Sequence, residues 1–316
     1  MAMKSSASTL RDCASAGREN IIHLRFKAPY DWPALLGFFQ SHAIPGVERV
    51  TDQVFSRVFR LGAVVGSFQV SLNAAASSLQ LRIAPADSAI GLEVAQRVRR
   101  MFDLDCDPIL IAKHFPNSPL LATLSKRFPG LRVARGWDPF ETAICSILGQ
   151  LVSARQRANL IRQLVESYGE KIVDPRSGEA ARVFPDARRL ASARLDAVRT
   201  TGARRQAIRD FSRRVFGSAI NLSAGQDPAA FRAALLKTKG LGPWSVEYIS
   251  LRAMSDMDAF PKTDLILKRA LALHSDLDLH SLSPWRAYAA IYLWKEYAET
   301  LSRIRRNKEP VTPSRK

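Results

Sequence analysis

The first third of the chain alternates apolar and polar residues over short segments, which is the spacing of β-strands. Four such segments occur between turn residues, at positions 21–26, 54–61, 66–72 and 79–83. Helical spacing occurs twice in the same region, after Asp31 and from about Ser88 to Phe102. The pattern predicts an α+β N-terminal domain with an antiparallel sheet over residues 20–105, after a flexible N-terminus over residues 1–19.

Strand signals nearly vanish after residue 105, and helical periodicity continues to about residue 303. Two capping patterns mark helix starts, Asp-Pro-Phe-Glu at 138–141 and Ser153 with Gln156. Further helices are predicted at 188–198, 204–216, 227–236 and after the Ser-Pro-Trp sequence at 283–285, with a polar loop at 169–180. We therefore predict an all-α bundle of two lobes over residues 106–303, followed by a basic tail over residues 304–316.

A glycine-rich turn, Lys-Gly-Leu-Gly-Pro at 239–243, joins two helical segments between about residues 235 and 254. We expect Gly240 and Gly242 to allow positive φ and a close approach to another surface, and Pro243 to restart the helix. The second helix carries aromatic and apolar residues along one predicted face, namely Trp244, Tyr248, Leu251 and Met254. Free backbone N–H groups at such a turn suit a phosphate.

Positive charge is concentrated in the helical part of the chain. The formal net charge is +18; residues 1–110 hold 12 of the 47 basic and 10 of the 29 acidic residues, and residues 111–316 hold the other 35 and 19. Such an excess favours a polyanionic partner, DNA or RNA. A generally basic protein with a solvated positive face is the alternative that charge alone leaves open.

Cysteine usage and hydropathy narrow the function classes. Cys13, Cys106 and Cys145 form no CxxC pair and have no histidine cluster nearby, so the sequence suggests neither a zinc site nor an iron–sulfur cluster. Mean hydropathy is -0.10, and no run approaches the roughly 18 apolar residues of a membrane span. We expect reduced structural thiols and a cytoplasmic, nucleoid-associated protein with no membrane partner.

The glycine turn and its surroundings resemble the helix-hairpin-helix DNA glycosylases. Gly-Leu-Gly-Pro-Trp at 240–244 is followed, after Phe-Pro-Lys-Thr at 260–263, by Asp264, which looks like the hairpin and catalytic aspartate of that superfamily. The chain is also similar to its AlkA-type branch, DNA-3-methyladenine glycosylase II. That similarity lies in the segments 30–32, 36–38, 104–106, 147–152 and 284–286 and in Tyr248. It covers roughly residues 20–300 and implies a base pocket between the two helical lobes.

The resemblance implies a monofunctional enzyme of base-excision repair. It would hydrolyse the N-glycosidic bond of alkylated purines, of the 3-methyladenine and 7-methylguanine type, in duplex DNA, with Asp264 as catalytic carboxylate. Bond cleavage leaves an oxocarbenium-like sugar that a fixed carboxylate stabilises, and a helix N-terminus favours the ionised form. From spacing alone, Asp264 could equally be only a helix cap.

The resemblance also implies an aromatic base pocket. Trp244, Tyr248 and Trp294 match it, and Phe38 matches the residue that the N-terminal domain contributes. Alkylation at purine N3 or N7 makes the base cationic, so electron-rich rings attract it. Ordinary core packing is the alternative for any one ring. Trp244 occupies the position of the Schiff-base lysine in relatives that cut the strand, so we expect no lyase activity.

The DNA contacts that the resemblance implies lie in two turns. Leu151 matches the wedge that fills the place of the flipped nucleotide, with Gln150 beside it, and the N–H groups near Gly240 and Gly242 would hold a phosphate. Family members also bind a structural monovalent cation at the hairpin through backbone carbonyls, here those of Leu236, Thr238 and Leu241. No cofactor is required for the expected reaction, and a monomer is expected to act on duplex DNA containing alkylated bases.

Two positions depart from the AlkA pattern. Thr263 stands where that pattern has a second aspartate, and Leu265 where it has a tyrosine, so one wall of the pocket is expected to differ. Two other functions stay open: a non-catalytic helix-hairpin-helix DNA-binding protein, and a bifunctional glycosylase/lyase for oxidised bases. Trp244 and the absence of a cysteine cluster disfavour the bifunctional enzyme.

Overall fold

The computed structural model describes residues 19–223, 225–274 and 277–308. Its N-terminal part is a five-stranded antiparallel sheet with the strand order β1-β5-β4-β3-β2. The elements of this part are β1 Asn20–Arg25, α1 Trp32–His42, β2 Glu48–Thr51, β3 Val54–Leu61, β4 Val64–Asn73, β5 Ser78–Ala84 and α2 Ser88–Met101. The predicted α+β domain is confirmed, while the expected flexible terminus lies outside the described residues apart from Glu19.

The edge strand β2 was missing from the sequence-based prediction. Its sequence, Glu-Arg-Val-Thr, contains one apolar residue, Val50, which pairs with Phe55 of β3. Four residues are too few for a recognisable alternation, so it is pairing with the longer neighbour β3 that makes this segment a strand.

Helices α1 and α2 cover an aromatic core on the sheet. The side chain of Asp31 caps α1 by accepting from the Ala34 amide at 3.0 Å, as the sequence predicts. The largest side chains of this core are Trp32, Phe39, Phe55, Phe68 and Phe102. Their packing fixes α1 on the sheet, and α1 also carries Phe38.

The helical part has two hydrophobic cores, in agreement with the predicted two lobes. Its helices are α3 Pro108–His114, α4 Pro119–Arg127, α5 Pro139–Gly149, α6 Ala154–Tyr168, α7 Ala187–Ser192, α8 Gly202–Phe216, α9 Pro228–Leu236, α10 Pro243–Ala253, α11 Leu265–Ala272 and α12 Arg286–Lys308. The first lobe is built mainly from α5, α6, α8 and α9, and the second from α3, α4, α11 and α12. Helix α10 belongs to both, because Val246 and Ile249 pack in the first core and Leu251 in the second.

Three local predictions were wrong. The expected polar loop at 169–180 overlaps a small sheet, whose strands are β6 Lys171–Val173 and β7 Ala180–Arg182. The helix expected at 188–198 ends at Ser192, and Leu195 takes a positive φ of 62° that turns its buried side chain into the first core. Residues 304–308, assigned to the basic tail, continue α12, and residues 309–316 lie outside the described residues.

Glu141 does not complete the capping box that its spacing predicts. Asp138 caps α5 by accepting from the Phe140 amide at 2.8 Å, whereas the Glu141 carboxylate pairs with Arg57 of β3, which also pairs with Glu48. Burial raises the pKa of Glu141 to about 7, against the lowering effect of Arg57. This ion pair connects the sheet to α5. Local spacing could not predict it, because its two residues lie far apart in sequence.

A buried polar network joins the sheet domain to the second lobe. Asp103 accepts from the Arg135 guanidinium at 2.7 Å and from the Tyr288 hydroxyl at 2.6 Å. Leu104 packs in the core of the sheet domain and Cys106 in that of the second lobe, on either side of the boundary that we expected at residue 105. The network therefore lies where the chain passes from one unit to the next.

The described cysteines are buried free thiols. Burial raises the pKa of Cys106 to about 11 and that of Cys145 to about 12, so both stay protonated at neutral pH. Cys13 lies outside the described residues. Over the ranges that the structure covers, no helix combines the length and the apolar content needed to cross a bilayer.

Candidate active site and nucleic-acid interface

The hairpin consists of α9, a short turn and α10. Gly240 has φ +93°, and a Cβ at this position would lie 2.8 Å from Cβ of Ala207 on α8, so a side chain is excluded by both conformation and space. Gly242 differs from our expectation, because its φ is −96° and it is the extended N-cap residue of α10. A Cβ there would meet no atom within 4 Å. The amide end of α10 is therefore open on this side.

The carboxylate of Asp264 accepts four hydrogen bonds from N–H groups. Two come from the first turn of α11, where the Ile266 and Leu267 amides lie 3.0 and 3.1 Å from Oδ1. The other two come from indoles: Trp244 Nε1 donates to Oδ2 at 2.9 Å, and Trp294 Nε1 donates to Oδ1 at 3.1 Å. Asp264 is thus a helix cap, as one interpretation predicts, and also the point where three helices converge. Four N–H donors around one carboxylate stabilise negative charge at a fixed place.

Two of the aromatic residues predicted for the base pocket, Trp244 and Trp294, contact this carboxylate directly. The rings of Trp244 and Tyr248, one helical turn apart on α10, stack with centroids 5.0 Å apart and an interplanar angle of 17°. Trp294 reaches the carboxylate from α12 in the second lobe. Phe38, on α1 of the sheet domain, lies beside Arg252, which also contacts the rings of Tyr248 and Trp294. The predicted single face of α10 is wrong in part, because Leu251 is buried in the second lobe and Met254 packs against the first.

Sequence analysis missed Arg252, which links Phe38 to the other rings. Its guanidinium carbon lies 4.3 Å from the ring centroid of Phe38, 5.4 Å from that of Trp294 and 5.8 Å from that of Tyr248. The residue is only 6% exposed, and burial lowers the pKa of the guanidinium. One signal was available: Arg252 follows Tyr248 by four residues on α10, so the two share a face.

The turn between α5 and α6 presents Leu151 to solvent. Leu151 has a positive φ of 55° and a fully exposed side chain, both uncommon for a leucine. Gln150 is not free, since its Nε2 donates to the Gly240 carbonyl at 3.1 Å and to the Ser245 hydroxyl at 2.7 Å. Gln150 therefore fastens the Leu151 turn to the hairpin.

The carbonyl groups expected to hold a monovalent cation belong to one tight turn. The Thr238 carbonyl already accepts from the Leu241 amide at 3.1 Å, which leaves one lone pair for a cation. Thr238 and Leu241 are buried, while the side chain of Leu236 is exposed. Backbone oxygens are hard ligands that fit an alkali cation. Across the described residues, no group of three or more His, Cys, Asp or Glu side chains is arranged to hold a metal ion.

Thr263 and Leu265, the two departures from the AlkA pattern, flank Asp264. Both side chains are exposed, so neither takes part in the ring cluster.

The chain is similar to several known DNA repair proteins. A model of the AlkA N-terminal domain family matches residues 21–138. The probable bifunctional transcriptional activator/DNA repair enzyme AlkA of Mycobacterium tuberculosis is 32% identical over 289 residues, which is 89% of this chain and 58% of that protein. DNA-3-methyladenine glycosylase 2 of Escherichia coli (strain K12) is 27% identical over 278 residues, which is 86% of this chain and 95% of the relative. The chain thus spans less than two thirds of the mycobacterial relative and nearly all of the E. coli one.

Among solved structures, a 3-methyladenine DNA glycosylase from Archaeoglobus fulgidus has a TM-score of 0.73 with 16% identity, covering 88% of this chain and 98% of its own. The fold is that of the helix-hairpin-helix DNA glycosylases. Within that class, residues 21–138 match the AlkA N-terminal domain family, and the expected resemblance to the AlkA-type glycosylases is confirmed.

Proposed function

We propose that this protein is a monofunctional DNA glycosylase that hydrolyses the N-glycosidic bond of alkylated purines in duplex DNA, including 3-methyladenine and 7-methylguanine. The observation that carries the proposal is the carboxylate of Asp264, fixed by four N–H donors of which two belong to the tryptophans Trp244 and Trp294. A carboxylate that is only a helix cap would need the two amides and neither indole.

Asp264 stabilises the charge that develops on the sugar. As the N-glycosidic bond breaks, its electron pair leaves with the base and positive charge spreads over the deoxyribose ring. A negative group already held in place stabilises this transition state without reorganising. Water then adds to the sugar carbon, and the same carboxylate can accept its proton. The reaction consumes only water, so no cofactor takes part.

The flipped base lies among Phe38, Tyr248, Trp244 and Trp294. Three structural units contribute these rings, so the pocket forms only when the sheet domain and both lobes are assembled. Stacking on these aromatic rings replaces part of the stacking energy that the base loses when it leaves the duplex. An alkylated purine is also a good leaving group because it departs without its positive charge.

Duplex DNA contacts the protein at two turns, the one between α5 and α6 and the one of the hairpin between α9 and α10. Leu151 enters the space that the flipped nucleotide leaves, Gln150 holds that turn against the hairpin, and the open amide end of α10 near Gly240 and Gly242 binds a phosphate. A monovalent cation on the carbonyls of Leu236, Thr238 and Leu241 would stiffen the hairpin. One protein molecule supplies all of these groups, in keeping with a monomer on its substrate.

The absence of lyase activity follows from Trp244. Its indole hydrogen-bonds the carboxylate and cannot form a Schiff base. The lysines nearest in sequence, Lys237, Lys239 and Lys262, are all exposed. Borohydride treatment of a reaction mixture should trap no covalent protein–DNA adduct, and a trapped adduct would contradict the monofunctional assignment.

The decisive experiment compares Asp264→Asn with Asp227→Asn. Asp227 is also a helix N-cap, at α9, and its carboxylate accepts from the Ala230 amide rather than from an indole. Asparagine caps helices well, so both variants should stay folded. We expect Asp264→Asn to lose 3-methyladenine release while it still binds duplex DNA, and Asp227→Asn to keep both. A wild-type protein that binds and releases no base would favour the non-catalytic DNA-binding protein.

A further inference from the structure

We infer that Arg252 sets the charge preference of the base pocket by lowering the excision of cationic lesions relative to neutral ones. The inference rests on the proposed function, because it concerns the same pocket. It changes the expected substrate class: neutral modified purines, such as hypoxanthine, become competitive with cationic alkylated bases.

The guanidinium of Arg252 is a charge without a counter-charge. Among the described residues its Nη1 donates to the Ala134 carbonyl at 2.8 Å, its Nε has no partner, and no carboxylate pairs with it. Two other buried arginines do have a counter-charge, since Arg57 pairs with Glu141 and Arg135 pairs with Asp103. Buried Arg132, like Arg252, donates to backbone carbonyls. A buried cation of this kind is costly unless its surroundings compensate it.

The predicted pocket rings provide that compensation. Arg252 lies within 6 Å of the centroids of Phe38, Trp294 and Tyr248, the range of cation–π attraction. Three of the four rings assigned to the flipped base are therefore already polarised by a resident cation. A cationic base gains less from such rings and is repelled by the guanidinium, whereas a neutral base meets no repulsion.

Asp264 acts in the opposite direction on the same base. Trp294 contacts both charges, because its Nε1 donates to Asp264 while its ring lies beside Arg252. The pocket thus holds one negative and one positive group that both contact Trp294. Arg252 cancels part of the advantage that the carboxylate would give to a cationic lesion.

A purely structural role is the competing explanation. Arg252 also joins α10 to Phe38 of the sheet domain and to Ala134, so its loss could loosen the pocket. Loosening lowers the excision of every lesion by a similar factor. A change in charge preference alters the ratio between lesions, and this ratio is the readout that separates the two roles.

The test uses two duplexes, one with 7-methylguanine and one with hypoxanthine, each opposite cytosine. Both bases carry a six-position oxygen, and only the first is cationic. In single-turnover assays at neutral pH, Arg252→Gln should raise the 7-methylguanine to hypoxanthine rate ratio about tenfold. Arg252→Lys, which keeps the charge, should leave the ratio within about threefold of the wild type. An unchanged ratio in Arg252→Gln, with both rates reduced together, would overturn the inference.

A second measurement does not depend on the folding of an Arg252 variant. In Asp264→Asn the opposing carboxylate charge is gone and Arg252 acts alone. This variant should bind the hypoxanthine duplex at least about fivefold more tightly than the 7-methylguanine duplex; equal or reversed affinities would overturn the inference. A wild type that releases neither base would instead contradict the proposed function itself.

Discussion

The indole nitrogen of Trp294 donates to Oδ1 of Asp264 at 3.1 Å, although 30 residues separate the two in sequence. Trp294 belongs to α12 and Asp264 to the start of α11, so the second lobe positions both. Trp244 completes the arrangement from α10, the helix that the two lobes share. The site thus depends on how the lobes pack as much as on its own residues.

Replacing Trp294 with phenylalanine isolates this hydrogen bond. The variant keeps an aromatic ring and loses the N–H donor to a charged acceptor, which is worth about 1.5–3 kcal/mol, or roughly 10- to 100-fold in rate. We expect the single-turnover rate of 3-methyladenine release to fall by that factor. Trp285→Phe is the matched control, because Trp285 packs against the second core and should keep its activity. Full activity in Trp294→Phe would show that the indole N–H is dispensable.

Leu151 should matter for DNA and not for folding. Its exposed side chain contributes little to the native core, so Leu151→Ala should reduce base excision at least about tenfold through the loss of the wedge. Leu151→Gly should be just as inactive but about 1 kcal/mol more stable than Leu151→Ala, because glycine accepts the φ of 55° without strain.

Single-turnover excision and urea unfolding measure the two effects of the Leu151 variants. Leu92→Ala, at an exposed position on α2, is the control for loss of a surface leucine and should leave excision unchanged. If the two Leu151 variants were equally stable, the positive φ would carry no cost.

His42 should make the protein sensitive to mild acid. Its ring stacks on Phe38 with centroids 4.1 Å apart, and burial, followed by the nearby Arg157 and Arg252, lowers its pKa from 6.5 to about 3. The folded pKa lies below the unfolded value, so the unfolded state takes up the proton first. The contribution of His42 to the free energy of unfolding is therefore fully present above pH 6.5. It is lost as the pH falls from 6.5 towards 3, by about 1 kcal/mol per pH unit.

The His42 effect is measured by comparing wild type with His42→Gln in urea unfolding between pH 7 and pH 4.5. The carboxylates contribute equally to the pH dependence of the unfolding free energy in both proteins, so their contribution cancels in the difference. We expect the difference in unfolding free energy between them to change in favour of the glutamine variant as the pH falls. Parallel pH profiles would contradict the lowered pKa.

The network around Asp103 should be a main source of coupling between the sheet domain and the second lobe. Asp103→Asn removes the charge that pairs with Arg135, and both side chains are at least 96% buried. Loss of one partner leaves an uncompensated buried cation and should cost about 3–5 kcal/mol in the free energy of unfolding. Tyr288→Phe removes a single hydrogen bond to the same carboxylate and should cost less, about 1–3 kcal/mol. Urea unfolding measures both, and equal costs would contradict a dominant role for the ion pair.

Much of the fold could be predicted because its signals are local. Asp31, Asp138 and Ser153 cap the helices that their spacing predicts, and Gly240 takes the positive φ that a tight turn demands. Strand β2 and the pair β6 and β7 could not be found in this way, because a three- or four-residue strand depends on its partner more than on its own pattern.

The same distinction between local and tertiary signals applies to the residues of the candidate site. Local sequence determined that Asp264 would begin a helix and that Trp244 and Tyr248 would share a face of α10, because helical spacing and capping involve only neighbours along the chain. Tertiary structure alone decided that Trp294 would reach the same carboxylate and that Gln150 would hold the hairpin. It also decided that Arg252 would lie among the rings with no carboxylate partner in the described part of the chain. These contacts join residues from different helices and domains, and a distance between two elements is set by how their cores pack, which no local pattern specifies.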